Sequence, residues 1–255
     1  MAAYDFTATR LFVEEPLAGE ARIAISGDRA NYLLNVLRLR DGAAILVFNG
    51  RDGEWRATLT ETTRRATVLR IDAPTRAQTT GPDIEYCFAP LKHARLDYIV
   101  QKAVEMGARR LCPIVTQRTQ VSRVNGERMR ANAIEAAEQC GILAVPDVVD
   151  VQPLDRFLAS RDTERLLVLC DEDAPLADPV AALRAAPPAT RYSLLIGPEG
   201  GFDARERQLL LAQPGVVRLS LGPRILRADT AGVAALTLLQ AIRGYWTDPD
   251  TMSPR

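Results

Sequence analysis

The sequence is poor in the residues that build metal sites and nucleophilic triads. Its 255 residues include one histidine, His93, and four cysteines about 25 to 30 residues apart: Cys87, Cys112, Cys140 and Cys170. None of the cysteines forms a CxxC pair, which argues against a zinc site or a compact disulfide framework. We therefore expect mostly buried thiols and no metal. With one histidine and no GxSxG motif, a Ser-His-Asp triad is poorly supported, and we expect His93 to be a surface or hydrogen-bonded residue.

The sequence also lacks a long apolar run and an excess of charge of either sign. Its longest nearly apolar run, residues 231–242, is shorter than the roughly 20 residues that cross a bilayer. No signal-peptide pattern begins the chain, so we expect a cytoplasmic location. The net charge is zero, yet residues 92–130 carry nine basic against three acidic side chains. This segment could neutralise phosphates, or its charges could pair locally and solvate helix faces.

The first part of the chain has the pattern of a small β-barrel. Alternating or β-branched apolar residues predict strands over 10–13, 21–26, 43–49, 54–60 and 66–71. Asp-Gly and Asn-Gly pairs at 41–42, 49–50 and 52–53 predict tight turns between them. Helical spacing predicts one helix over 27–39. Many short strands with frequent turns favour a small barrel. Residues 72–82, polar with Pro and Gly, are the predicted linker.

The second part alternates between strand and helix patterns. Strands are predicted over 84–89, 111–115, 166–170, 192–196 and 216–221, and helices over 96–106, 128–140, 203–212 and 229–242. Such alternation is typical of an α/β domain with a mostly parallel sheet and helices on both faces. Residues 181–189, rich in Ala and Pro, are interpreted as a short low-complexity tract.

Two Gly-Pro loops follow the last two predicted strands. They are Ile196-Gly-Pro-Glu-Gly-Gly-Phe202 and Leu221-Gly-Pro-Arg-Ile-Leu-Arg-Ala-Asp-Thr-Ala231. Each joins a strand to a helix, so we expect the two loops side by side at the carboxyl edge of the sheet, where open α/β sheets bind ligands. Glycine lets a ligand approach the backbone and proline stiffens the turn. No Lys-Ser/Thr follows either loop and no GxGxxG occurs, so P-loop and dinucleotide sites are poorly supported.

These two loops resemble the signature loops of the SPOUT methyltransferases. More narrowly, the chain resembles, over nearly its whole length, the bacterial ribosomal RNA small subunit methyltransferase E family, which methylates N3 of a uridine in 16S ribosomal RNA. Val36-Leu-Arg-Leu39, Gln101-Lys-Ala-Val-Glu-Met-Gly107 and Glu138-Gln-Cys-Gly141 followed by Pro146 support this resemblance. It implies a PUA-like β-barrel for RNA over residues 1–76 and a trefoil-knotted SPOUT methyltransferase domain over 77–255. It further implies a homodimer, S-adenosylmethionine as methyl donor, and ribosomal RNA, naked or in an assembled subunit, as partner.

The resemblance also implies the site residues. The donor would be bound by backbone groups and apolar walls at Leu195, Ile196, Gly197, Glu199, Gly200, Gly201, Leu221, Gly222, Ile225 and Leu226. RNA would be contacted by Arg10, Arg38, Lys92 and Arg118.

Uridine N3 must lose a proton before or during attack, and a basic residue or a carboxylate near the uracil would assist. Arg224, Arg227 and Glu199 are the candidates for the catalytic roles. The alternatives are that the two arginines pair with Glu199 or Asp229, and that Glu199 caps the next helix.

Two positions depart from the family pattern, and two other functions stay open. Asp229 stands where the family more often has Glu and could cap the last helix. Ile142 stands where arginine is expected, which removes an RNA or phosphate contact. The first alternative function is a SPOUT methyltransferase for another RNA base or a ribose 2′-hydroxyl. The second is a non-catalytic RNA-binding ribosome-assembly factor, against which the intact Gly-Pro loops argue.

Overall fold

A computed structural model describes residues 7–92, 94–121, 123–175, 178–244 and 246. His93, and the role predicted for it, lie outside the described residues. The chain divides into two compact units. The first comprises Met1–Thr80 with Ala137–Val145, and the second comprises Gly81–Ala136 with Pro146–Arg255.

The first unit is built on a five-stranded sheet. Its strands are β1 (Arg10–Phe12), β2 (Arg22–Ser26), β3 (Ala44–Phe48), β4 (Glu54–Thr60) and β5 (Ala66–Arg76), in the order β1-β3-β4-β5-β2. The pair β1–β3 is parallel and the other pairs are antiparallel. In β2, Ile23 and Ile25 are buried while the alternate residues Arg22, Ala24 and Ser26 are exposed, as expected when one face of a strand packs on a core.

Two predictions for this unit are corrected by the structure. The helix predicted over 27–39 is a short helix α1 (Gly27–Asn31) followed by a π-helical turn (Tyr32–Val36). The predicted linker begins as strand, because β5 continues through Pro74 to Arg76. The pairing of β4 with β5 changes register on both sides of Pro74. Proline is tolerated at such an irregular position because the ladder does not need a backbone N–H donor there.

The second unit contains a seven-stranded sheet in which every strand pair is parallel. Its strands are β6 (Asp83–Phe88), β7 (Arg110–Val115), β8 (Asp147–Val148), β9 (Gln152–Pro153), β10 (Leu166–Cys170), β11 (Arg191–Ile196) and β12 (Val216–Leu219). Their order is β12-β10-β11-β6-β7-β8, and β9 also pairs with β7. The predicted parallel α/β sheet is therefore confirmed.

Six helices accompany this sheet in the described residues. They are α2 (Ala94–Glu105), α3 (Gly126–Cys140), α4 (Leu154–Ser160), α5 (Pro179–Ala185), α6 (Ala204–Leu211) and α7 (Ala228–Arg243). The last residues of α3 group with the first unit. Helices α4 and α5 were not predicted. The tract interpreted as low-complexity includes much of α5, which begins with Pro179 behind an Asp178 N-cap, a favourable start for a helix.

Strand order determines where the two Gly-Pro loops lie. Because β11 and β12 run parallel, both loops leave the same edge of the sheet. They do not follow neighbouring strands, however, since β10 lies between β11 and β12. Asp171, at the end of β10, accepts hydrogen bonds from Arg218 Nε (2.6 Å) and Arg207 Nη2 (3.1 Å). This carboxylate joins β12 and α6 at the edge that carries the loops.

Candidate active site

The first Gly-Pro loop is a close-packed backbone turn. At its start the carbonyl of Ile196 accepts a hydrogen bond from Ala89 N (3.1 Å), and within it Gly201 N donates to Pro198 O (2.8 Å). A Cβ atom at Gly197 would lie only 2.8 Å from Cε2 of Phe202. The loop therefore has no room for a side chain at Gly197 and keeps its backbone close to the sheet edge.

A capping box fixes the helix that follows the loop. Asp203 Oδ1 accepts from Glu206 N (2.7 Å), and Glu206 Oε2 accepts from Asp203 N (3.0 Å). The other oxygen of Glu206 accepts from Gln117 N (2.7 Å), which ties α6 to the segment after β7. Asp203 is thus the N-cap of α6, and the alternative that Glu199 caps this helix is wrong.

Glu199 instead pairs with Arg95, in the first turn of α2. The Arg95 Nη1 atom contacts Glu199 Oε1, and Arg95 Nε lies 3.8 Å from Asp229 Oδ2. One guanidinium therefore lies between a carboxylate of the first loop and a carboxylate of α7. The N-cap of α7 is Arg227, so Asp229 does not cap that helix, and it lies within its first turn, where a negative charge is favourable.

The second Gly-Pro loop is open to solvent. Gly222 has a φ of +96°, a value that favours glycine, and Leu221 and Leu226 are half-buried. Ile225 is 99% exposed. Arg224 and Arg227 are also exposed, and in the described part of the chain neither forms an ion pair with Glu199 or Asp229. The predicted alternative for these two arginines is wrong, because Arg95 takes that place.

A cavity of about 360 Å³ lies beside the first loop. Its lining comes from residues 90–92, 94–95, 118, 120–121 and 198–200, so it brings Lys92 and Arg118, both predicted RNA contacts, to Arg95 and Glu199. Arg118 Nη1 donates to Gly200 O (2.7 Å), and its side chain packs against Gly200. The cavity thus has a cationic wall next to the predicted donor loop.

Local pairing, one of the two readings of the basic segment, is observed for part of it. Among the ion pairs that the described residues form, Arg95, Lys102, Arg110 and Arg128 of this segment each pair with a carboxylate. Lys92 and Arg118 are exposed at the cavity. Lys92 and Arg118 therefore offer positive charge to a ligand at the cavity.

The two RNA-contact candidates of the first unit differ in accessibility. The Arg10 side chain is only 2% exposed and donates from Nε to Glu54 Oε2 (3.1 Å), so the structure argues against a direct RNA contact by this guanidinium. Arg38 is exposed and has a φ of +58°, which is uncommon for a residue other than glycine. Arg38 thus presents its side chain from an unusual backbone turn.

The four cysteines lie within the described residues as free thiols. Cys87 and Cys112 are buried, Cys170 is half-buried and Cys140 is exposed, so the expectation of mostly buried thiols is met only in part. A contact with Cys112 and burial raise the pKa of the Cys87 thiol, and burial raises that of Cys170 to about 12, so these two stay protonated. No three metal-ligating side chains cluster within the described ranges. In those ranges, too, every helix is too short or too polar to span a bilayer.

Comparison with known proteins agrees with this geometry. Residues 79–240 match the sequence profile of an RNA methyltransferase domain, and residues 25–72 match that of an RNA methyltransferase PUA domain. The ribosomal RNA small subunit methyltransferase E of Synechocystis is 30% identical over 240 residues, which cover 92% of this chain and 78% of that protein. The chain belongs to the ribosomal RNA small subunit methyltransferase E family. The family assignment made from the two loops is confirmed.

Two solved methyltransferase structures have the same fold. A family member from Neisseria gonorrhoeae, bound to S-adenosyl methionine, superposes with a TM-score of 0.85 at 26% identity, covering 94% of this chain and 100% of that one. A protein from Legionella pneumophila, described as a methyltransferase in complex with SAM, gives 0.81 at 29% identity, covering 93% and 98%. The predicted fold class, a parallel α/β methyltransferase domain preceded by a PUA-like domain, is therefore confirmed.

Sequence reasoning missed three features of this methyltransferase E site. Asp203 and Glu206 have the spacing of a capping box, which could have been recognised in the sequence. Phe202 was included in the loop but its packing on Gly197 was not foreseen. Arg95 was counted only as one charge of the basic segment. Its partner Glu199 is 104 residues away, and no local pattern indicates such a pair.

Proposed function

We propose that the protein transfers the methyl group of S-adenosylmethionine to N3 of a uridine in small-subunit (16S) ribosomal RNA. The observation that carries this proposal is the cationic cavity beside a Gly-Pro loop at the carboxyl edge of the parallel sheet. Loop backbone suits the donor, and clustered positive charge suits the RNA. Family membership supports the same chemistry.

The residues of both loops fit the donor. Leu195 and Ile196 are buried in the sheet, so they would present backbone groups, and Gly197, Gly200 and Gly201 allow close approach. Leu221, Gly222, Ile225 and Leu226 would form the opposite side, where Ile225 offers an uncovered apolar wall. When bound, S-adenosylmethionine supplies an electrophilic methyl group. The loops supply alignment, which is the main requirement of an in-line displacement.

Charged side chains would act on the RNA. Arg224 and Arg227, exposed on the second loop, would orient phosphate or base, and Glu199 would accept the proton of N3. Lys92 and Arg118 at the cavity, with Arg38 in the first unit, would contact the RNA backbone. RNA binding is assigned to residues 1–76 and methyl transfer to 77–255. The proposal also includes a cytoplasmic ribosomal substrate, a trefoil-knotted second domain and a homodimer, whose solution molar mass would be twice that of one chain.

The test begins with the methylated product. Small-subunit ribosomal RNA from cells that lack the enzyme is treated with protein and S-adenosylmethionine, digested, and analysed by mass spectrometry of nucleosides. We expect 3-methyluridine. A methylated ribose or another base would favour the alternative target, and the absence of any product from a folded protein would favour the non-catalytic assembly factor.

Titration calorimetry tests the donor site separately. Wild type is expected to bind S-adenosylmethionine near one per chain, and Gly200→Val to lose this binding. Gly200 does not have a positive φ, so valine does not strain the backbone there, and circular dichroism checks that the variant is folded. Equal binding by both proteins would contradict a donor site at this loop.

A further inference from the structure

Arg95 connects three segments of the second unit. It belongs to the first turn of α2, its Nη1 pairs with Glu199 in the first loop, and its Nε lies 3.8 Å from Asp229 in α7. No hydrogen bond involves its Nη2 within the described residues. Because a guanidinium carries five N–H donors in a rigid fork, two carboxylates orient Arg95 while donors remain for a ligand.

The charge of the cavity suits an anionic nucleotide better than the methyl donor. The charged side chains that face it are Lys92, Arg95, Arg118 and Glu199, with Asp229 beside Arg95. Three positive charges against one carboxylate in the lining attract phosphate and disfavour a sulfonium cation. The volume of about 360 Å³ falls within the usual range of sites for small molecules.

We propose that the target uridine enters this cavity and that Arg95 is a catalytic residue, donating hydrogen bonds to the uracil carbonyl oxygens as N3 loses its proton. This inference rests on the proposed function. Loss of the proton spreads negative charge from N3 onto the two flanking carbonyl oxygens. A pre-oriented guanidinium beside them stabilises that charge, and more strongly than water does.

The step balances with the groups at the cavity. The N3 proton passes to Glu199 Oε2, the carboxylate oxygen other than the one that Arg95 Nη1 contacts. N3 then forms a bond to the methyl carbon, and the electron pair of the broken carbon–sulfur bond stays on sulfur.

Four full-length proteins test the role of Arg95: wild type, Arg95→Gln, Arg95→Lys and Arg191→Gln. Arg191 is the matched control because it is 39% exposed against 37% for Arg95 and also pairs with carboxylates, but at the opposite end of β11. Steady-state methylation of small-subunit ribosomal RNA is measured across a pH series. Calorimetry gives the Kd for S-adenosylmethionine.

We expect Arg95→Gln to lower kcat by about 10²- to 10³-fold, as loss of one charge-stabilising donor does, with the donor Kd unchanged. The rise of kcat with pH should move up by about 1 to 3 pH units, because N3 loses a neighbouring positive charge. Arg95→Lys keeps the charge and should restore the pH profile and part of the rate. Arg191→Gln should behave as wild type.

Wild-type kcat in Arg95→Gln, or a lower kcat with an unchanged pH profile, would overturn the assignment. Should Arg95→Gln fail to fold, Ala94→Phe provides a second test, because Ala94 is exposed and lines the cavity. It should abolish methylation, and normal methylation would refute the cavity. If wild type forms 3-methyluridine, a negative result sinks this inference alone, whereas a methylated ribose sinks the proposed function as well.

Discussion

Ile225 is a large apolar side chain that the fold leaves exposed, where a ligand could cover it. It is an isoleucine with 99% of its surface exposed, at the tip of the second Gly-Pro loop. Burial of an isoleucine side chain typically contributes about 1.5–3 kcal/mol of free energy. Within the described residues this side chain is not buried, so it contributes little of that to folding. The contribution is therefore available to whatever covers the loop, which the proposed function takes to be the donor.

We expect Ile225→Ala to weaken S-adenosylmethionine binding about tenfold or more, since each lost methylene costs about 0.8 kcal/mol. The free energy of unfolding should change by less than about 0.5 kcal/mol, because no packing within the chain is lost. Calorimetry and urea denaturation measure the two quantities. Val36→Ala is the control, as Val36 is a 61% exposed apolar residue of the first unit and should change neither. Unaltered donor affinity in Ile225→Ala would contradict the predicted wall.

At the scale of elements, the cap of α6 lies directly after the first Gly-Pro loop, where we propose that the donor binds. Asp203 directly follows the loop, and its side chain accepts a hydrogen bond from Glu206 N. The Glu206 side chain in turn accepts one from Gln117 N, in the segment after β7. Replacing Asp203 by Ala should cost about 1 kcal/mol in the free energy of unfolding and should also weaken donor binding, because the loop loses its anchor. Asp178→Ala removes the cap of α5 and should cost a similar stability with no change in donor affinity. Equal donor affinity in the two variants would refute the coupling.

The ion cluster across β1, β4 and β5 gives the first unit a dependence on pH. Glu54 accepts hydrogen bonds from Arg76, Thr75 and Arg10. Burial alone would raise the pKa of Glu54, but the hydrogen bonds from Arg76 and Thr75 and the charge of Arg76 outweigh it and hold that pKa below its ordinary value. A lowered carboxyl pKa stabilises the fold above the unfolded pKa of about 4.3, and this contribution is lost as the pH falls through the folded pKa.

The urea concentration at the midpoint of unfolding of the first unit should therefore fall as the pH is lowered below about 4.3. Trp55, which packs against the core of this unit, reports the transition by fluorescence. Glu54→Gln should be less stable at neutral pH, because two guanidinium groups then face a neutral amide, and its stability should depend less on pH in the acid range. If the slope against pH were the same in both proteins, Glu54 would not be the responsible carboxylate.

Elements with strong local patterns were predictable, and those fixed by long-range contacts were not. Strands β4 and β10 have the predicted bounds, because alternation or a short apolar run defines each. Strand β5 was cut short because Pro74 looks like a break until its irregular pairing with β4 is known. Strands β8 and β9, two residues each, are too short for any period. The Gly-Pro loops of the site could be found, whereas the role of Arg95 depends on the sheet order that brings residues 95, 199 and 229 together.

For the whole molecule, the net charge is zero but the charged residues are unevenly distributed along the chain. The 255 residues carry a net charge of zero, and the positive excess lies in the segment that supplies the cavity. A chain without net positive charge has little non-specific electrostatic attraction for RNA. Its binding of RNA should therefore depend on where a few cationic side chains are placed. This arrangement favours a substrate that reaches the cavity over one that touches any surface.

Salt dependence of RNA binding distinguishes position from total charge. Each phosphate contact that is lost should make the slope of log affinity against log salt shallower by about one, so Lys92→Ala, at the cavity, should show this change. Lys102→Ala removes the same charge, but Lys102 already pairs with Glu105 at 2.6 Å, so its slope should stay that of wild type. Filter binding or fluorescence anisotropy at a series of salt concentrations gives both slopes. If the slope of log affinity against log salt concentration became shallower by the same amount in both variants, net charge alone would govern binding. The cavity would then have no special role in binding RNA.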